Sequence, residues 1–137
     1  MKKILLSIVT LALLSFNAYA ATNKFVIQIS TDDARTQKIV LNNAANLQKH
    51  FGADNVDVEI VAYGPGLGIL TTGNKNSSRV EKMAMSDIKF SACQNTMNGF
   101  KKKKGHFPTL TDGVGITPSG VVRIGALQQQ GYSYIRP

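Results

Sequence analysis

From residue 24 onward, two hydrophobic patterns alternate along the chain. Five short runs rich in β-branched and aromatic residues read as strands. They are "KFVIQI" (residues 24–29), "VDVEIVAY" (56–63), "IKFSA" (88–92), "GVGIT" (113–117) and "YSYI" (132–135). Between them the apolar spacing changes to that of a helix. Val40, Ala44, Leu47 and Phe51 fall at i, i+4, i+7 and i+11, one stripe of a helix that starts near Ser30 and Thr31. Asp33 is placed to complete a capping box there, and Gly52 to end the helix. The spacing predicts a second helix over residues 77–85 and a short third one over 95–104. A fourth follows Thr117 as N-cap and Pro118 as first residue, with Gly131 beyond its end and Val121, Ile124 and Leu127 turned inward.

Strands alternating with helices predict an α/β fold: a three-layer α/β/α sandwich around a mainly parallel five-stranded sheet. No internal repeat, long linker or low-complexity segment interrupts it. Two connections are long for a compact domain, "YGPGLGILTTGNKNSS" after the second strand and "KKGHFPTLTDG" before the fourth, which marks them as functional or mobile.

The first twenty residues follow another pattern. Lys2 and Lys3 precede an apolar run over residues 4–14, and "AYA" (18–20) ends it with a small-x-small cleavage motif. This is the anatomy of a secretory signal peptide, with an uncleaved anchor as the alternative. The expected organisation is a signal peptide over residues 1–20 and one domain over 21–137, exported to the periplasm with no membrane anchor. Cleavage takes the formal charge from +8 to +6, and four of the remaining cations are Lys101 to Lys104. The basic balance is therefore one cluster, not a broad basic face with interleaved aromatics, and nucleic acid is not an expected partner. The lysine run reads as a solvated helix end, with attraction of an anionic ligand as the alternative.

Candidate chemistry centres on the single cysteine, Cys93. One cysteine forms no internal disulfide and no Cys-x-x-Cys pair, which excludes thiol exchange within one chain. In open parallel sheets, ligands bind outside the carboxyl ends of the strands. Those ends fall at Ser30, at Tyr63-Gly64-Pro65, at Cys93-Gln94-Asn95 and at Thr117-Pro118-Ser119. Cys93 also precedes a helix, whose free N–H groups favour a thiolate. The competing reading is an inert, buried thiol. Asn95 serves either as cap of the new helix or as hydrogen-bond donor to sulfur. "GPGLG" (64–68) lacks the spacing of a phosphate-binding loop and reads as a turn that also walls the cleft. His50 and His106 are far apart and lack acidic partners at ligand spacing, so no metal and no cofactor is expected. His106 is a conceivable partner for Cys93.

"YGPGL", "SACQNTM" and "TPSGVVRIGALQQQGYSYIRP", in this strand–helix order, resemble the DsrE-like family over about residues 24–137. The resemblance implies a three-layer α/β/α domain and assembly into homo-oligomers, trimers or hexamers. It also implies a sulfur-relay role, with a strand-end cysteine carrying sulfur as a persulfide between donor and acceptor proteins. Only Cys93 matches the family's active position. Gly64, Pro65, Asn95 and Thr96 are the expected cleft residues around it. "QNTMNGF" after the cysteine, unlike the Ala-rich segment of the cytoplasmic relay members, is similar to an exported branch. The function expected is sulfur handling through Cys93. The alternative is a non-catalytic oligomeric binding or scaffold protein with a structural cysteine.

Overall fold

The computed structural model describes residues 23–137; the signal peptide expected over residues 1–20 lies outside them. The chain runs β1 (Asn23–Ile29), α1 (Ala34–Phe51), β2 (Val56–Ala62), a 3-10 helix (Gly64–Leu70) and α2 (Ser77–Met85). It continues with β3 (Lys89–Cys93), α3 (Gln94–Lys104), β4 (Gly115–Thr117), α4 (Gly120–Gln129) and β5 (Ser133–Ile135). The strands form one sheet in the order β4-β3-β2-β1-β5, and every strand pairing in it is parallel.

Parallel neighbours point their paired residues to the same face, so the register sorts the side chains. Phe25, Ile27 and Ile29 pair with Val58, Ile60 and Ala62, and Phe90 and Ala92 continue that face across β3. These residues form the larger core with Val40, Leu41 and Ala44 of α1, Val80 and Met83 of α2, and Met97 of α3. The other face carries Val26 and Val61, which pack against Ile124 and Leu127 of α4 and Tyr132 in a much smaller core. Three helices cover one face and a single ten-residue helix covers the other.

This asymmetry follows from crossover handedness. The chain steps β1→β2→β3→β4 in one direction, so right-handed crossovers place α1, α2 and α3 on one side. It then returns past β1 to β5, and the same rule puts α4 on the opposite side. The connections leaving β3 and β4 therefore turn to opposite faces, which makes the gap between those two strand ends the switch point of the fold.

Local starts differ from the sequence expectation in informative ways. Asp33 is itself the N-cap of α1, accepting the Thr36 N–H at 2.7 Å, while Thr31 Oγ1 accepts the Asp33 N–H at 3.2 Å, so no capping box forms with Ser30 or Thr31. In α4 the N-cap is Ser119, not Thr117, and the helix begins at Gly120. Its buried stripe is Gly120, Ile124 and Leu127, at i, i+4 and i+7. Val121 lies about 100° off that stripe and is 65% exposed, contrary to its expected inward position.

The two long connections are pinned to each other. Thr72 N–H donates to Thr109 O at 2.9 Å and Thr111 N–H to Leu70 O at 2.8 Å, and Leu67, Ile69 and Leu70 are buried. Gly64 takes φ +53°, as a turn glycine should, but Gly66 is required for another reason. A Cβ there would lie 2.3 Å from the carbonyl oxygen of Ile29 and 2.7 Å from the Ser30 nitrogen. Both atoms are backbone, so relief means separating the 3-10 helix from the end of β1. Gly66→Ala is expected to lower unfolding free energy by roughly 3 kcal/mol, the scale of an overpacked core site, in a urea titration. Gly68→Ala, with open space around its Cβ position, should cost far less.

Candidate functional site: a thiol between two helix starts

Cys93 is the last residue of β3 and the N-cap of α3. Its position in the register turns its side chain to the face that α4 covers, beside Thr117 of β4. Gly120, the first residue of α4, donates its N–H to Cys93 Sγ at 3.3 Å. The sulfur thus lies where the starts of α3 and α4 converge, and unpaired N–H groups at helix starts favour negative charge. Burial pushes the thiol up. The N–H groups of Thr96, Gly120 and Asn95, together with the Thr96 hydroxyl, outweigh that and hold it below the ordinary cysteine value.

The other expected site residues fall into three groups. Thr96 and Gly64 do come together: the Gly64 N–H donates to Thr96 Oγ1 at 2.9 Å, tying the 3-10 helix to the first turn of α3. Asn95 lies in the first turn of α3, where its backbone N–H favours the thiolate, while its exposed side chain makes no cap. It cannot cap, because α3 begins one residue earlier than the pattern suggested and Cys93 holds the cap position. Pro65 stands exposed at the start of the 3-10 helix, outside the ring of donors.

His106 and the lysine run are not part of this site. They lie at the C-terminal end of α3, whose eleven residues span roughly 16 Å from Cys93. His106 packs its ring on Phe100 at 5.7 Å, and Lys101 Nζ sits 4.5 Å from the centre of the Phe107 ring. Gly105 closes the helix in the left-handed conformation, its N–H on Lys101 O at 2.8 Å. The lysines are exposed at the negative end of the helix, the arrangement expected of a solvated terminus.

Accessibility is the second property of the thiol. Cys93 is 5% exposed, so a reactant must be small or must arrive with movement of the first turn of α4. That turn is closely fitted. A Cβ on Gly120 would come within 2.8 Å of Tyr63 Cδ1 and 3.1 Å of Tyr63 Cβ.

Two contributors escaped the sequence reading. Gly120 is 27 residues from Cys93, and nothing local to either joins them. Further down the same face, Arg123 of α4 clasps Glu59 of β2, donating from Nε at 2.8 Å and from Nη2 at 2.7 Å. Ser91 Oγ donates to the same carboxylate at 2.7 Å. A partial signal for the pair was present: Arg123 is the lone charge inside the apolar "VVRIGAL", and Glu59 sits among the apolar residues of "VDVEIVAY" with only Asp57 as a second charge.

Comparisons with known proteins bear on this geometry. A protein of unknown function from Methanobacterium thermoautotrophicum is 30% identical, with a TM-score of 0.76 over 84% of this chain and 99% of its own. The YchN protein of E. coli superposes with a TM-score of 0.67 at 13% identity, over 84% of this chain and 98% of its own. A conserved protein of unknown function from Bacteroides thetaiotaomicron gives 0.63 at 18% identity, over 88% and 100%. The latter two likenesses speak for the fold alone. Comparison with curated proteins gives no match. The profile of the DsrE/DsrF-like family matches residues 23–137, the whole of the described chain, and the chain belongs to that family.

Proposed function

We propose that this protein is an exported sulfur carrier in which Cys93 takes up and passes on a sulfur atom as a persulfide. One observation supports this reading above the others: Cys93 Sγ accepts the Gly120 N–H at 3.3 Å from the start of α4 while standing at the N-cap of α3. The Cys93 thiolate attacks the outer sulfur of a donor persulfide. A new S–S bond forms, the donor's S–S bond breaks, and the donor leaves as a thiolate. Attack by an acceptor thiolate on the outer sulfur then returns Cys93 to a thiolate. No net oxidation occurs in either step. The donors that favour the free thiolate also make it a better leaving group in the second step.

The remaining parts of the reading follow from this role. Gly64 and Thr96 shape the site through their mutual hydrogen bond, Asn95 through its backbone, and Pro65 through the start of the 3-10 helix. Donor and acceptor are proteins, met in the periplasm after removal of residues 1–20. The working form is a homo-oligomer, a trimer or hexamer, and the exposed Val121 and Val122 beside the site suit a protein contact. Light scattering on the mature protein should give a mass of at least three chains at micromolar concentration; a monomer would remove that part.

A second reading has one observation in its favour. The 5% exposure of Cys93 suits a structural cysteine in a non-catalytic oligomeric binding or scaffold protein. Alkylation separates the two. In the carrier, iodoacetamide should react with folded protein, and the pH midpoint should lie below the free-thiol value of about 8.5. Cys93→Ser supplies the blank. Labelling that waits for unfolding would leave the scaffold. Thr96→Val keeps the side-chain shape and removes one donor, so its midpoint should rise. It also strands the Gly64 N–H, at about 1–2 kcal/mol of stability. Protein isolated under a persulfide-trapping reagent should show Cys93 one sulfur atom heavier, or its trapped adduct; unmodified thiol throughout would count against carriage.

A further inference from the structure

The Glu59–Arg123 pair is an expensive way to attach a helix. Glu59 is 1% exposed, and the three hydrogen bonds to its carboxylate come from two side chains, Arg123 and Ser91. Arg123 keeps 36% of its side chain exposed, but the carboxylate must be desolvated, so the pair gives little net stability over apolar side chains of equal volume. Nor is it tightly enclosed: Glu59, Ser91 and Arg123 border a cavity of about 400 Å3 that reaches Gly115 at the β4 edge. What the pair provides and a leucine contact does not is direction. Two parallel bonds from a planar guanidinium fix distance and rotation together.

The rotation matters because of what lies one turn away. Gly120 and Arg123 are at i and i+3 on α4, on the same side of the helix. Arg123 is tied to β2, and Gly120 points its N–H at the end of β3. Little else holds this turn: Val121 and Val122 are exposed, and the small core begins at Ile124. Tyr63 packs against Gly120 from the β2 side and limits how closely the turn approaches, without setting its twist.

We infer that the Glu59–Arg123 pair is a positioning device for Cys93: by fixing the twist of the first turn of α4, it holds the Gly120 N–H on Cys93 Sγ. Neither residue touches the sulfur or whatever sulfur compound it receives; both act through Gly120. The inference rests on the reading of Cys93 as a working thiolate. It adds two residues, on β2 and α4, to a site otherwise built from the end of β3 and the starts of the 3-10 helix, α3 and α4.

Charge alone predicts the opposite effect for one substitution, which makes a clean test. The other titratable or charged groups on this face of the sheet are Lys24, Asp57, Tyr63, Lys89, Tyr132 and Tyr134. Tyr63 packs against Gly120, and the hydrogen bonds and ring contact of the others are with one another or with Gln28: Lys89 and Tyr132 hold Asp57, Lys24 lies over the Tyr132 ring, and Tyr134 holds Gln28; Asp57 and Tyr132 also feel the charges of the pair. Glu59→Leu removes a negative charge from the neighbourhood of the thiol and frees the Arg123 cation. By electrostatics alone the thiol should then ionise more readily. If the pair positions Gly120, the thiol loses a donor and ionises less readily.

The experiment is the pH profile of iodoacetamide alkylation in the full mature chain, with amide exchange of Gly120 followed by NMR and folding checked by thermal melt. In Glu59→Leu the midpoint should move up, the rate at pH 7 should fall roughly tenfold, and the Gly120 amide should exchange faster. Glu59→Gln keeps an acceptor for Arg123 and Ser91 and should stay close to the natural protein. Arg123→Lys keeps the charge, loses the fork, and should fall between them; it carries the test if Glu59→Leu does not fold. A midpoint that moves down or stays put in Glu59→Leu, or an unchanged profile in Arg123→Lys, overturns the inference. An ordinary midpoint in the natural protein sinks the carrier reading instead, and Gly120 exchange in Glu59→Leu still judges the positioning.

Discussion

Everything distinctive about this molecule depends on one return crossing of the sheet. Four strands are laid down in one direction, and the fifth is added on the far side of the first. Because crossovers are right-handed, this one reversal sends α4 alone to the face that the first three helices leave bare. It also carries the start of α4 over the end of β3. The same constraint therefore produces a thick core on one side, a thin one on the other, and two helix starts aimed at one sulfur.

The thin side solves its packing problem with polar groups. Ten helical residues cannot cover five strands, so residues facing α4 include Asp57, Glu59, Ser91 and Lys89 as well as Val26 and Val61. Each polar group is satisfied by a named neighbour. Tyr132 donates to Asp57, which Lys89 also holds at 3.0 Å, and burial together with that carboxylate pushes the tyrosine hydroxyl well above its usual range. Tyr134 donates to Gln28 at 2.5 Å, and Gln28 donates to Ser30. Such a face keeps α4 attached through directional bonds more than through buried area, so its geometry can be specified closely while its net stability stays modest.

The sequence carried the fold almost completely because the fold is encoded locally. Among the described residues, period-two and period-3.6 patterns located the five strands and the four α-helices, and α2 matched at both ends, while the 3-10 helix over Gly64–Leu70 read only as a turn. The errors fell where a local rule had two candidates. Asp33 and Thr31 both suit a cap, and the chain uses Asp33. Val121 and Gly120 both begin a plausible stripe, and the one with no side chain faces inward, because Tyr63 fills the space a side chain would need. The site was only half legible. Cys93 ends β3, and Gly64 and Thr96 lie just beyond the ends of β2 and β3, where a topological rule could find them. The 27 residues between Gly120 and Cys93, and the 64 between Glu59 and Arg123, are bridged only by folding.

Burial and reactivity of the thiol are separate questions, and this site answers them in opposite directions. Desolvation alone would leave Cys93 a protonated, inert filler. Donors from two helices reverse the sign, so the group is at once enclosed and inclined to ionise. An enclosed thiolate suits cargo that oxygen and stray thiols would otherwise attack, but it needs a way in. The enclosing element is the start of α4, whose exposed Val121 and Val122 suit a partner contact. Contact there and access to the sulfur would then be a single event, because the turn that a partner touches is the turn that covers Sγ.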